Sequence, residues 1–261
     1  MRLVPVAMLF VACSFDPTPL MPGSQTDASG GSQIDAPAMT AGDPCATDNG
    51  GCAIACMSAG GSAVCFAPQN CGQVAGLAND STTTLYVGGS ATKPWTAYCH
   101  DGLEYLTVSD DTNFGQYTAG TKSPGSNAHT GYAKLRLDPA TLLVDICDQT
   151  FAKSTGTLSH DPAHNNPPII VTSMPLGVAM DCSGDFSTSG QAGVDVSSTP
   201  FAITSGWSPA GGDAAGIANK NARTASISGG GNCGWDAPTG SPGNPFNTFT
   251  NSKLVQLSYS P

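Results

Sequence analysis

Ten cysteines in a chain of 261 residues limit this fold more than any other feature. Disulfides form and persist in oxidising compartments, and this many cysteines is unusual for a reduced protein of such length. Cys45, Cys52, Cys56 and Cys65 crowd into a stretch too short to build an apolar core, so cross-links must hold it. The chain as a whole is rich in Gly (32) and Pro (20), only 11% of it is charged, and no sustained 3.6-residue periodicity runs through it. That composition favours short strands joined by turns.

The strands can be read individually. Thr83–Val87, Trp95–His100 and Glu104–Val108 are β-rich runs separated by Gly-Gly, Lys-Pro and Asp-Gly turn signals. Tyr132–Leu137 and Leu142–Cys147 flank the turn Asp138-Pro139-Ala140-Thr141; in the first, Ala133, Leu135 and Leu137 alternate with Lys134, Arg136 and Asp138, a half-buried strand. Ile169–Thr172, Gly193–Val196, Phe201–Thr204, Thr224–Ile227 and Lys253–Tyr259 complete about ten short strands. The expected fold class is mostly β: a compact two-sheet domain with little helix, preceded by a small disulfide-stapled knot and a disordered tether. The net charge of −10 repels phosphate backbones and argues against a nucleic-acid partner.

Met1-Arg2, the apolar run Leu3–Ala12 and the closing Phe10-Val11-Ala12-Cys13 resemble a bacterial lipoprotein signal, residues 1–13. The resemblance implies cleavage before Cys13, lipidation of its thiol, and export to the outer membrane or cell surface of a bacterium. The apolar run is too short to span a bilayer as a helix. Residues 14–43 are Pro, Gly, Ser, Asp and Ala with few bulky apolar side chains, and are expected to be a disordered linker.

In residues 44–67 the spacing of Cys45, Cys52, Cys56 and Cys65, with Asn49-Gly50-Gly51 before the second, resembles the first four cysteines of an EGF-like module. The family's pairing implies Cys45–Cys56 and Cys52–Cys65. The family's fifth cysteine is absent (Phe66-Ala67 stands there), so the module is truncated.

Residues 70–261 resemble the GON domain, the C-terminal module of a subset of secreted ADAMTS-type zinc metalloproteases. The resemblance rests on Cys71-Gly72-Gln73, Leu85-Tyr86-Val87, Tyr98-Cys99, Glu104-Tyr105-Leu106-Thr107, Lys134–Pro139, Asp148–Ala152, Asp181-Cys182, Gly193–Val196, Thr199-Pro200-Phe201 and Cys233-Gly234. It implies a Cys71–Cys99 bridge. Cys182–Cys233 with Cys147 a free buried thiol is the expected arrangement for the rest; Cys147 bonded to Cys182 or Cys233 is the alternative.

No catalytic residue can be assigned. The metalloprotease signature, two histidines on one helical turn with a glutamate base, is absent. The nearest text is His160-Asp161-Pro162-Ala163-His164, where Pro162 blocks a helix; it is expected to be a polar loop. His160, His164 and His100 are candidates for a structural or adventitious zinc ion, and Asp110-Asp111-Thr112-Asn113 is either a calcium-binding loop or a solvated acidic turn. No cofactor is required by the sequence. Tyr86, Trp95, Tyr98, Tyr105, Phe151 and Phe201 are expected in the core, with Trp207 and Trp235 more exposed.

These features imply a surface-anchored, non-catalytic binding or adhesion module for an extracellular or envelope protein or polysaccharide. Two alternatives stand beside it: an accessory module of a secreted zinc metalloendopeptidase, and a glycan-binding domain like the fibrinogen-like family, which the run from Cys71 to Cys99 resembles.

Overall fold

Along Pro94–His100 the side chains of Trp95, Ala97 and Cys99 are buried, and those between them are more exposed. That period of two recurs through a chain built almost wholly of short β-strands. The computed structural model describes residues 45, 48–184, 188–212, 216–239 and 254–261. The signal segment, the lipidation expected at Cys13 and the 14–43 linker lie outside the described residues. Helical segments among the described residues are single 3-10 turns at Asp48–Gly51, Cys71–Gln73 and Val87–Gly89. No described helix is long and apolar enough to cross a membrane.

The chain forms two compact units, one ending at Tyr105 and including Pro139–Thr141, the other made of Leu106–Asp138 and the chain from Leu142 onward. In the first, β1 (Ala55–Ala59) and β2 (Ser62–Phe66) make an antiparallel hairpin. Its turn, Gly60-Gly61, has φ of +58° and +79°, the conformation that matches the natural twist of paired strands and that glycine adopts freely. Cys45–Cys56 and Cys52–Cys65 staple it. Strands β3 (Ser81–Tyr86), β4 (Pro94–His100) and β5 (Leu103–Thr107) follow as an antiparallel meander. Cys71–Cys99 ties the meander to the chain entering it, and the buried Glu104 carboxylate accepts the Cys71 N–H at 2.7 Å.

The second unit contains β6 (Phe114–Thr118), β7 (Ala128–Tyr132), β8 (Lys134–Asp138), β9 (Leu143–Asp145), β10 (Ala152–Thr155), β11 (Leu158–His160), β12 (Ile169–Val171) and β13 (Ala179–Asp181). It continues through β14 (Gly190–Asp195), β15 (Phe201–Ile203), β16 (Trp207–Ala210), β17 (Ile217–Lys220), β18 (Thr224–Gly229), β19 (Trp235–Pro238) and β20 (Leu254–Tyr259). A nine-stranded sheet runs β16-β19-β13-β6-β14-β18-β17, with β7 and β10 branching from β6. Strands β8, β9, β20 and β15 pair antiparallel, and β11 pairs with β12. As expected, Leu135 and Leu137 point inward from β8.

The strands are shorter and more numerous than the ten or so expected. The run Tyr132–Leu137 breaks at Ala133 into β7 and β8. Strands β6, β13, β16 and β19 give little sequence signal because Gly, Ser, Asp and Pro interrupt them. Gly115 in β6 is required by packing: a Cβ there would lie 1.9 Å from the Pro175 carbonyl oxygen.

Candidate functional site

Three strand ends of the second unit meet at one place. β11 ends on His160, β13 ends on Asp181 with Cys182 next, and the turn Gly230–Gly234 joins β18 to β19 and carries Cys233. Gly230, Gly231, Asn232 and Cys233 all have positive φ. Gly230 has a second constraint, since a Cβ there would sit 2.4 Å from Asp181 Cγ.

Asp181, only 1% exposed, is the anchor. Its carboxylate accepts the N–H and hydroxyl of Ser183 (3.1 and 2.9 Å), the N–H and hydroxyl of Ser189 (both 2.7 Å) and the Gly231 N–H (2.6 Å). Burial alone would push this carboxyl up, but the bonds from Ser189, Gly231 and Ser183 outweigh it and hold it below the usual range. The segments after β13 and after β18 are therefore tied to one charge.

The Cys182–Cys233 disulfide bridges these segments. His160, Cys182 and Cys233 each offer a ligating atom within 4.8 Å of the other two. Cys182 and His160 are buried, and Cys233 is partly so. Tyr117, fully buried on β6, places its hydroxyl 2.8 Å from His160 Nδ1. Burial lowers the His160 pKa, against an opposing pull from Asp161, and raises that of Tyr117. Lys122 donates its backbone N–H to the Cys182 carbonyl at 3.0 Å and its ammonium to the Asn232 side chain. Asn232 in turn donates its N–H to the Ser183 carbonyl at 3.2 Å.

The other histidines lie elsewhere. His164 is 74% exposed at its side chain, with Nδ1 2.9 Å from both carboxylate oxygens of Asp161. The segment after His160 is a turn, in which the N–H groups of His164 and Asn165 bond to the Asp161 carbonyl. His160 and His164 thus face different surroundings and do not form a pair of ligands on one helix face. His100 belongs to the first unit, with Nδ1 donating to Asp80 at 2.6 Å and Nε2 3.4 Å from Asp101. Among the described residues, the groups of three or more metal-ligating side chains comprise His160–Cys182–Cys233 alone.

Two expectations are corrected. Cys147 is disulfide-bonded and not a free thiol. The reason is its position: β9 ends at Asp145, and Cys147 sits in the half-buried turn beyond, its N–H bonded to Asp145 Oδ1, open to oxidation rather than sealed in a strand. Trp235 is buried at 9% exposure, and Trp207 is half-buried with its indole N–H donating to the Gly177 carbonyl at 2.8 Å. Both serve packing, because the glycines beside them let the backbone close over the rings.

Asn113 of the candidate calcium loop is fully buried and bonded to the backbone of Asp195 and Ser109. The run is a turn capped by Ser109, whose carbonyl accepts the Asn113 N–H at 3.0 Å. Sequence reasoning missed the roles of Tyr117 and Asp181. The Asp181-Cys182 pair carried a signal for one of them; nothing in the sequence marks Tyr117 as a neighbour of His160.

No family model matches the chain, and neither a curated protein nor a solved structure does.

Proposed function

We propose that this chain is an exported, non-catalytic binding module, a GON-like domain carried behind a truncated EGF-like hairpin. One observation carries this reading. On the hairpin, Met57 and Val64 stand directly opposite each other in register and are 53% and 41% exposed. A two-stranded hairpin has no core of its own to retain apolar side chains. Two disulfides fix it, so the exposed pair forms a rigid apolar knob that loses little entropy on docking. Exposed apolar side chains on a rigid element mark an interaction surface. The partner is an envelope or extracellular protein or polysaccharide.

The test uses the full chain against a bacterial envelope fraction and a glycan array, each with and without calcium. Wild type binds one of them, and Met57→Ser with Val64→Ser abolishes binding without changing the melting temperature. Undiminished binding by the double variant would remove the hairpin from recognition. Calcium-dependent glycan binding would favour the fibrinogen-like reading, and co-purification with a zinc peptidase the accessory one.

A further inference from the structure

We propose that His160, Cys182 and Cys233 form a redox-gated site for a thiophilic metal ion, zinc, closed as a disulfide when oxidised and open as two thiolates and one imidazole when reduced. The site goes beyond the binding-module reading and stands independently of the hairpin.

The chemistry suits zinc. Two thiolates and an imidazole are ligands of the borderline-soft class that zinc takes in tetrahedral sites, and three protein ligands leave the fourth position open. Zinc–ligand bonds of about 2.0–2.3 Å place tetrahedral ligand atoms about 3.3–3.8 Å apart. The imidazole already lies within 4.8 Å of both sulfurs, and the two sulfurs, at bonding distance in the disulfide, separate by about 2 Å once it is reduced. Zn²⁺ with two thiolates and a neutral imidazole has no net charge, which suits a largely buried set of ligands.

The surroundings are built to survive reduction. Breaking the Cys182–Cys233 bond does not release the two segments, because Asp181 holds the N–H groups of both Ser183 and Gly231. Lys122 and Asn232 add further ties, from Lys122 to the Cys182 carbonyl and from Asn232 to Ser183. The Tyr117 hydroxyl, 2.8 Å from His160 Nδ1, orients the imidazole as an outer-shell partner of a metal-binding histidine does.

The redox step balances. A dithiol reductant gives two electrons and two protons to the Cys182–Cys233 disulfide; the S–S bond breaks, two thiols form, and the reductant becomes a disulfide. Zinc then displaces both thiol protons as it binds.

The experiment uses the full chain with its bridges formed. One sample is reduced anaerobically with a dithiol, which is then removed; the other stays oxidised. Cobalt(II) is added as a spectroscopic stand-in, then zinc, and cysteine alkylation is mapped by peptide mass. The reduced chain takes up one metal with a thiolate-to-cobalt absorption band that zinc abolishes, and the oxidised chain takes up none. Zinc slows alkylation of Cys182 and Cys233 together. Tyr117→Phe lowers affinity about tenfold and His160→Ala by more. Shielding of Cys45, Cys52, Cys56 and Cys65 with Cys182 and Cys233 left reactive overturns the site, as does equal alkylation with and without zinc. These two outcomes are read on wild type, so they decide the matter even where a variant does not fold.

Discussion

Asn113 engages both backbone groups of Asp195: its Oδ1 accepts the Asp195 N–H at 2.8 Å, and its Nδ2 donates to the Asp195 carbonyl at 3.0 Å. The side chain thereby stands in for a strand partner beyond Gly193↔Phe114, the last paired residues of β14 and β6. Asn113→Ala leaves buried backbone groups unsatisfied and is expected to cost about 2–4 kcal/mol. Asn113→Asp places a carboxylate against a carbonyl oxygen and is expected to cost at least as much. Urea denaturation measures both, and an unchanged midpoint for either variant would contradict this role.

Asp181 gives a pH dependence of definite sign. Its folded pKa lies below the ordinary value for an aspartate carboxyl, so the folded state favours the carboxylate. Its contribution is fully present above that value and is lost as pH falls through the lower folded pKa. Asp181→Asn loses the charge on these hydrogen bonds and is expected to destabilise by about 2 kcal/mol near neutrality, with the gap to wild type narrowing as pH falls below the ordinary carboxyl range. Thermal melts across this range check it; a gap independent of pH would show that the charge contributes nothing.

Asp236 has the opposite sign. It is 1% exposed, its Oδ1 has no hydrogen-bond partner among the described residues, and burial pushes its carboxyl up to about 6. Between pH ~4 and 6 the unfolded chain loses this proton while the folded chain keeps it, so stability falls as pH rises. The full penalty above pH 6 is about 3 kcal/mol. Asp236→Asn is expected to recover part of it at pH 8 and nothing at pH 3.5. Equal effects at both pH values would exclude the ionisation as the cause.

Gly115 and Gly76 form a matched pair. Gly115→Ala drives a methyl into the Pro175 carbonyl at the centre of the large sheet and is expected to prevent folding of the second unit. Gly76 has φ of +68° with nothing within 4 Å of an added Cβ, so Gly76→Ala costs only the strained backbone, about 1 kcal/mol. Yield and near-ultraviolet circular dichroism separate the two; a well-folded Gly115→Ala would refute the close approach.

Cys147 is expected to resist alkylation in the unreduced chain, since it is already bonded. Mass mapping without reductant tests this, and a labelled Cys147 would restore the free thiol.

Local chemistry along the chain determined the class of structure. Turn signals such as Asp101-Gly102 appear as tight connections with positive φ, and the alternation through Leu135 and Leu137 marks the inward face of β8. The stapling of the hairpin was implied by the resemblance of residues 44–67 to an EGF-like module. These features are legible because each depends on residues a few positions apart, where backbone geometry alone sets who faces whom. Tertiary structure alone decided the rest. Tyr117 meets His160 across 43 residues, and Asp181 receives Gly231 across 50. Asp181 and Asp236 are the same residue type, and their pKa values move in opposite directions because N–H and hydroxyl donors from Ser183, Ser189 and Gly231 outweigh burial at the first, while burial outweighs the Ala237 N–H at the second. Contacts of that kind depend on how distant strands are brought together, and no short-range pattern encodes them.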